Sequence, residues 1–246
     1  MRLLHSPTQN KILGALPDEE YRRLLPFLEL VDMPLGQVIH EPGTRPRQLY
    51  FPATCIVARI YELRSGITRR VSMTGNEGVT DIFLLLGCDS TAATVIVQNP
   101  GYGYRIKAKI LKQEFEAGGP LQQLLLRFSQ ALLCQTEQTA VEACQSVEQK
   151  LCRFFLMILD RLATDSIAMT HEFVSNMLGV RRERVAMTAK RMRTRGWITY
   201  QDGTVVVLNR AALEGCVCEC YEVVNAEYRR LFQRKRKKRG GARRLR

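Results

Sequence analysis

Arginine and glutamate side chains crowd into a short segment near the carboxyl end, where Arg181, Arg182 and Arg184 surround Glu183. An arginine guanidinium carries several N–H donors in a rigid fork and can donate to O6 and N7 of one guanine. A glutamate carboxylate can accept from N4 of a cytosine. This set of side chains therefore predicts contact with the base edges of a nucleic acid.

Two short helices are predicted around this cluster. Thr170 is a good N-cap for the first helix, and Gly179 ends it where a left-handed residue is needed. In the second helix Val185, Ala189 and Met192 share one face, which leaves the charged side chains on the other. Two short helices joined by a turn containing Gly are typical of a helix-turn-helix, whose second helix enters the major groove of DNA.

The helix-turn-helix is expected to present two sets of side chains to DNA. The base-reading set is Arg182, Glu183 and Met187. A second set, which contacts phosphates and makes binding depend on salt, consists of Thr170, His171, Arg181, Arg184 and Lys190.

A β-hairpin is predicted directly after the second helix. The runs "WITY" and "TVVV" flank Asp202 and Gly203, a favoured two-residue turn. A hairpin in this place is the wing of a winged helix-turn-helix. The alternative is a helical pair and ribbon used only for packing, but the arginine cluster has no packing purpose.

The net charge of +13 is concentrated in the last third of the chain. Residues 170–200 hold seven Lys or Arg against two Asp or Glu, and residues 234–246 hold nine against none. A basic segment beside a basic tail is typical of a protein that binds polyanions. We expect the tail to be disordered and to add sequence-independent phosphate contacts; a charge run that is merely solvated is the alternative.

The first hundred or so residues carry the signals of short strands. Runs of Val, Ile, Tyr and Thr are separated by turn residues such as Pro42-Gly43 and Asn99-Pro100-Gly101. This spacing predicts a β-roll or jelly-roll, preceded by a helical segment that starts again at Pro17-Asp18.

A long helix is predicted over residues 121–162, which contain no Pro or Gly. We expect one helix, broken at most once, that pairs with the same helix of a second copy and makes the protein a homodimer. Packing along the β-domain of its own chain is the alternative. The apolar stripe comprises Leu121, Leu125, Phe128, Leu132, Thr136, Thr139, Ala143, Val147 and Leu151.

The predicted fold class is α+β, in four parts. Residues 1–118 form a β-roll sensor domain, and residues 119–162 form the dimerisation helix and hinge. Residues 163–233 form the winged helix-turn-helix, and residues 234–246 form the basic tail.

This order of elements resembles the Crp/Fnr family of bacterial transcription regulators. The resemblance covers about residues 10–232 and is strongest in "MTHEFVSNMLGVRRERVAMTAKRMRTRGWITYQDGTVVV", while "MTGNEGVTDIFLLLG" sits where the family has a GxEG-like turn. It implies a cyclic-nucleotide-binding-like β-roll and a homodimer, with double-stranded DNA and RNA polymerase as partners. The family's Arg-Glu pair is often followed four residues on by another Arg, but this chain has Met187, so its preferred half-site is expected to differ.

The nucleotide pocket that the resemblance implies is expected to be degenerate. Cyclic-nucleotide-binding members have an Arg-Ser pair whose arginine neutralises the phosphate. Glu77, Gly78 and Ser90 match positions of that pocket, but the arginine is absent and Asp89 precedes the serine. We therefore expect no cyclic-nucleotide ligand, and the effector stays open.

Cysteine, histidine and hydropathy patterns limit the other functions. The chain has eight cysteines, none before Cys55, so no iron–sulfur cluster of the Fnr kind is expected. Cys216, Cys218 and Cys220, expected on one helix, are interpreted as packed thiols, with redox sensing or metal binding as the alternative. We expect no cofactor and no metal.

An enzyme and a membrane protein are both disfavoured. Three histidines are too few for a cupin-type metal site, and no nucleophile with its base stands out. No run is long and apolar enough to span a membrane, and the first residues lack a signal-peptide core. A cytoplasmic location is therefore expected. The remaining alternative is a cytosolic sensor or adaptor whose β-roll binds a small ligand or protein partner under thiol redox control.

Overall fold

The computed structural model describes residues 5–64, 68–141, 145–162, 164–201 and 203–233. Two short helices come first, α1 (Lys11–Gly14) and α2 (Asp18–Leu24), and α2 begins directly after Pro17, as predicted. Seven strands follow: β1 (Glu29–Met33), β2 (Val38–His40), β3 (Gln48–Pro52), β4 (Ile56–Glu62), β5 (Thr68–Thr74), β6 (Thr94–Asn99) and β7 (Gly101–Lys107).

These strands form two antiparallel sheets, with orders β1-β7-β3 and β2-β6-β4-β5. Met33 of the first sheet packs with Val57, Val95 and Val97 of the second, all of them buried. Alternate residues of each strand point inward, so short Val-rich runs suffice to build this core. The predicted N-terminal β-roll is confirmed.

Three helices lead out of the β-roll: α3 (Ala108–Glu116), α4 (Pro120–Val141) and α5 (Val147–Leu159). The predicted single long helix is broken once, because Ser146 starts a new helix. Its side-chain oxygen accepts from the Gln149 backbone N–H at 3.2 Å, while the Gln149 side chain accepts from the Ser146 N–H at 3.0 Å. This reciprocal capping satisfies N–H groups that a helix start leaves without partners.

We expected the apolar stripe of α4 to pack against the same helix of a second copy. For the first half of the stripe this expectation was wrong. Leu121, Leu125, Phe128 and Leu132 are buried within this one chain, in the same core cluster as the β-roll. Periodicity shows which face of a helix is apolar, but it does not identify the surface that covers that face. Ala143, also assigned to the stripe, lies outside the described residues.

The C-terminal part contains seven elements. They are β8 (Ser166–Ala168), α6 (His171–Leu178), α7 (Arg182–Thr194), β9 (Ile198–Gln201), β10 (Thr204–Val207), α8 (Arg210–Cys216) and α9 (Glu219–Phe232). The three strands form an antiparallel sheet of order β8-β10-β9. Helix α5 packs on α7 and α8, although we placed it in the dimerisation segment. The four domain boundaries stay predictions.

A buried ion pair joins the β-roll to the end of α5. Arg161 Nε donates to Glu77 Oε1 at 2.8 Å, and both side chains are almost fully buried. The same carboxylate accepts from the Gly75 N–H at 3.1 Å, and the Arg161 guanidinium also donates to the Met157 carbonyl oxygen at 2.7 Å. Burial removes both charges from most contact with water, and these contacts compensate for the lost hydration.

A second polar contact lies between α4, β5 and α9, because α9 packs along α4. The Gln135 amide accepts from the Met73 N–H at 3.2 Å and donates to the Met73 carbonyl at 3.0 Å. It also donates to the Tyr228 hydroxyl at 2.8 Å. Burial raises the pKa of Tyr228 well above that of a free tyrosine, so the hydroxyl stays protonated.

Among the described residues, no helix combines the length and the apolar composition that crossing a membrane requires.

Removing one member of the buried Glu77–Arg161 pair should lower the free energy of unfolding. In Glu77→Gln the Arg161 charge loses its counterion, and we expect the free energy of unfolding to fall by about 3 kcal/mol in urea titrations. Glu41→Gln, at an exposed carboxylate of the β-roll, is the matched control and should change it by less than about 0.5 kcal/mol. Equal effects of the two substitutions would contradict the role given to the pair.

Candidate nucleic-acid interface

Helix α7 has one buried face and one exposed face. Val185, Ala189 and Met192 are 1%, 7% and 0% exposed, as their spacing predicts. Thr188 is also buried and donates its hydroxyl to the Arg184 carbonyl oxygen at 2.8 Å, so its polar atom is satisfied within the helix. These four side chains hold α7 in one rotation about its axis.

The turn before α7 has the predicted geometry. The Thr170 hydroxyl accepts from the Phe173 N–H at 3.1 Å and starts α6. Gly179 ends α6 with φ +61°, the left-handed conformation that favours glycine. A β-carbon at Gly179 would also collide with the guanidinium of Arg69 in β5, because α6 packs against that strand.

All three predicted base-reading side chains are exposed on α7. Arg182 and Glu183 stand in its first turn, and Met187 follows one turn later. Within the described part of the chain, neither Arg182 nor Glu183 has an ion-pair partner. Their donors and acceptors are therefore available to an external ligand.

The predicted phosphate-contacting side chains surround this group. Arg181, Arg184 and Lys190 are exposed, and so is Thr170, whose hydroxyl is already used as the cap of α6. His171 differs from them because it is half-buried, with its ring stacked on that of Tyr200 at 4.6 Å between centroids.

Two effects disfavour the charged form of His171. Burial lowers the pKa of His171, and the nearby positive charge of Arg182 lowers it further. The Nε2 atom is buried without a hydrogen-bond partner among the described residues. His171 is thus neutral near pH 7 and couples the wing to the first turn of α7.

The wing consists of β9 and β10 together with β8, a strand that we did not predict. Thr204 pairs with Gln201 across the predicted hairpin, whose Asp202 lies outside the described residues. On the other side of β10, Thr204 pairs with Ala168 of β8. A three-residue strand has too little sequence pattern to be recognised, although Ile167 and the following "AM" are β-compatible.

The predicted effector residues are not brought together. Glu77 is bonded to Arg161, and Gly78 touches Phe128 of α4 so closely that a β-carbon there would lie 2.2 Å from its ring. Asp89 is exposed and 3.4 Å from Arg45. Ser90 is also exposed and follows the short helix of residues 82–84 in the sequence.

The three C-terminal cysteines do not share one helix, which corrects our expectation. Asn209 caps α8, but α8 ends at Cys216, and Cys218 caps the next helix. The Gln145 amide donates to Cys218 Sγ at 2.6 Å and to Cys220 Sγ at 3.4 Å. Burial raises the pKa of Cys220 to about 11, which disfavours the reactive thiolate.

The described residues contain no group of three or more His, Cys, Asp or Glu placed to hold a metal ion. Of the cysteines they include, Cys88 is the exposed one.

Acid should weaken the packing of His171. Because its folded pKa is lower than its unfolded pKa, the stability that neutral His171 contributes is present above about pH 6.5 and is lost as pH falls through the folded value. Urea unfolding of wild type and His171→Gln should show a steeper loss towards acid pH in wild type. NMR titration of the His171 ring should give a pKa below 6.5 that rises in Arg182→Gln. An elevated His171 pKa in wild type would contradict this account.

Comparison with known proteins agrees with this geometry. Residues 149–216 match the family model of the Crp-like helix-turn-helix domain. No curated protein matches the chain in sequence.

Several solved structures share the fold over most of the chain. A protein of Eubacterium rectale described as a transcriptional regulator of the Crp/Fnr family is 14% identical, with a TM-score of 0.64, covering 85% of this chain and 98% of its own. FixK2 of Bradyrhizobium japonicum is 16% identical, with a TM-score of 0.65 and coverages of 78% and 98%. A CRP-family regulator of Thermus thermophilus is 16% identical, with a TM-score of 0.61 and coverages of 76% and 95%. Residues 149–216 thus form a Crp-like helix-turn-helix domain, and the chain as a whole has the fold of the Crp/Fnr family of transcription regulators.

Proposed function

We propose that this protein is a cytoplasmic transcription regulator that binds a specific duplex DNA sequence as a homodimer. Helix α7 lies in the major groove, the wing lies near the backbone, and RNA polymerase is the further partner that this role implies. The protein acts by binding rather than by catalysis.

The proposal depends on Arg182 and Glu183 in the first turn of α7, which are exposed and have no ion-pair partner in the described part of the chain. The residues at the N-terminal end of a recognition helix are those that reach base edges. A guanidinium that is free of intramolecular ion pairs can donate to guanine without first losing a partner. Arg181, Arg184 and Lys190 lie around this pair and supply the charge that phosphates require.

The exposed side of α4 supports the homodimer. The first half of the predicted seam is buried in its own chain, but a second stripe stays uncovered: Leu126, Leu133 and Val141 are 46%, 60% and 52% exposed. Leu126 and Leu133 are seven residues apart, which is the repeat of a two-stranded coiled coil. Pairing α4 with its copy would cover these side chains and place two α7 helices about a two-fold axis.

Packing inside the β-roll supports control by something other than a cyclic nucleotide. Asp81 accepts from His40 Nδ1 at 2.8 Å and from Arg59 at 3.2 Å, all three largely buried. The space left beside Asp81 and Ser90 is about 10 Å³, whereas ligand sites measure hundreds of cubic ångströms. The arginine that would bind a cyclic phosphate is absent from this segment.

Substitution of Arg182 should reduce the discrimination between DNA sequences, whereas substitution of the nearby Arg184 should reduce phosphate binding. Arg182→Ala should lose about 1 to 3 kcal/mol of discrimination between a duplex that the protein selects from a random pool and a scrambled duplex. Arg184→Ala should weaken binding to both duplexes alike and reduce the salt slope by about one. Fluorescence anisotropy across a salt series measures both quantities. Equal losses on both duplexes in Arg182→Ala would contradict base reading.

Charge on the exposed stripe of α4 should dissociate the dimer. Leu133→Glu places two carboxylates against each other across the proposed seam, so sedimentation equilibrium should give the monomer mass. Leu35→Glu, at a leucine that is 52% exposed in the β-roll, is the matched control and should stay dimeric. A dimeric Leu133→Glu, or a monomeric wild type at micromolar concentration, would rule out this seam.

A further inference from the structure

A cavity of about 610 Å³ opens on the β-roll, away from α7. Three segments line it: residues 45–48 before and at the start of β3, residues 84–89 after the short helix, and residues 107–112 at the start of α3. The Ala108 N–H donates to the Arg47 carbonyl oxygen at 2.9 Å and ties the first segment to the third. Its volume is in the range of small-molecule sites.

Positive charge is concentrated on the walls of this cavity. Arg45, Arg47, Lys107, Lys109 and Lys112 line it, against the single carboxylate of Asp89. Like charges around a concave surface repel one another, and the low-dielectric walls focus their field on the space between them. An anion in that space would relieve the repulsion.

Most of this charge is not neutralised by the residues that the structure describes. Asp89 pairs with Arg45 at 3.4 Å, and Lys112 pairs with Glu116 at 3.8 Å, all four side chains well exposed. Among the described residues, no carboxylate lies within 4.0 Å of the cationic groups of Arg47, Lys107 or Lys109. Three cations therefore stay available to a ligand.

The floor of the cavity is apolar. Leu85 and Pro46 are buried in it, and Leu84 and Ala108 are half-buried beside them. An apolar floor under a cationic rim is suited to a molecule that has both kinds of surface. Inorganic phosphate alone would leave the leucines in contact with water.

We propose that this cavity binds a small organic anion that carries at least two negative charges, as phosphoryl or carboxylate groups, on an apolar body. The arginine forks and lysine ammonium groups bind the charges, and Leu84 and Leu85 cover the apolar body. The cavity shares Pro46 and Leu84 with the small space beside Asp81 and Ser90 but is otherwise lined by different residues, and it does not depend on DNA binding by α7. A ligand here would contact the start of α3, the helix that precedes the one carrying the proposed dimer seam.

Cys88 provides a reporter inside the cavity, because it lines the wall and is exposed. We would measure its alkylation by N-ethylmaleimide in the full-length protein by mass spectrometry, with three probes. The probes are 1-naphthyl phosphate, which has charge and apolar body, pyrophosphate, which has charge alone, and 1-naphthol, which has the body alone. At ten times its Kd, 1-naphthyl phosphate should slow the alkylation of Cys88 about tenfold and leave Cys134 unchanged.

Two matched double variants test whether the protection of Cys88 depends on the cations of the cavity. Arg47→Gln with Lys109→Gln removes two cations from the rim and should weaken 1-naphthyl phosphate about a hundredfold, about tenfold for each charge-assisted contact. Arg182→Gln with Arg184→Gln removes two cations from α7 and should keep full protection of Cys88 while losing DNA affinity.

The proposal fails if 1-naphthyl phosphate does not protect Cys88 in wild type, or if protection survives in the rim variant. It also fails if 1-naphthol alone protects as well as 1-naphthyl phosphate. Loss of DNA binding with protection intact would instead count only against the function proposed for α7, so the two failures are distinguishable.

Discussion

The buried face of α7 is the constraint on which the proposed DNA interface depends. Val185, Ala189 and Met192 pack into the core and leave α7 one rotation about its axis. A helix held in this way must direct Glu183 and Met187 outward, whatever their own interactions. Arg182, three residues before Val185, lies at the edge of the buried face and is exposed in the first turn. The charges of Arg182 and Glu183 then determine what they bind.

The two halves of the chain are joined at residues that the resemblance to the Crp/Fnr family would assign to a ligand pocket. Glu77 bonds Arg161 at the end of α5, and the lack of a side chain at Gly78 admits the ring of Phe128. The turn that holds a nucleotide in cyclic-nucleotide-binding members thus contacts α4 and α5 here. These contacts link the β-roll to α5, which packs on α7 and α8 of the C-terminal part.

Local signals predicted most of the C-terminal part, whereas long-range partners were not predictable. Thr170 and Gly179 mark the ends of α6 through capping chemistry that involves only neighbouring residues. Leu132 belongs to a clear apolar stripe, but which of two surfaces covers that stripe depends on the whole fold. Likewise, the lysines of α3 and Arg47 are far apart in sequence, so the cationic cavity emerges only when strands and helix are assembled. Cys218 and Cys220 were placed on the same helix as Cys216 because "GCVCEC" has no Pro to mark the break between α8 and α9.

The central claim is that two copies of α7, related by the dimer axis, bind successive major grooves of B-form DNA. Selection from a random duplex pool by the purified protein, followed by sequencing of the retained fragments, tests this claim most directly. The account predicts a two-fold-symmetric motif with half-site centres about one helical turn apart, each half containing a fixed guanine opposite Arg182. Retained fragments without any shared motif, or with a single unpaired half-site, would contradict it.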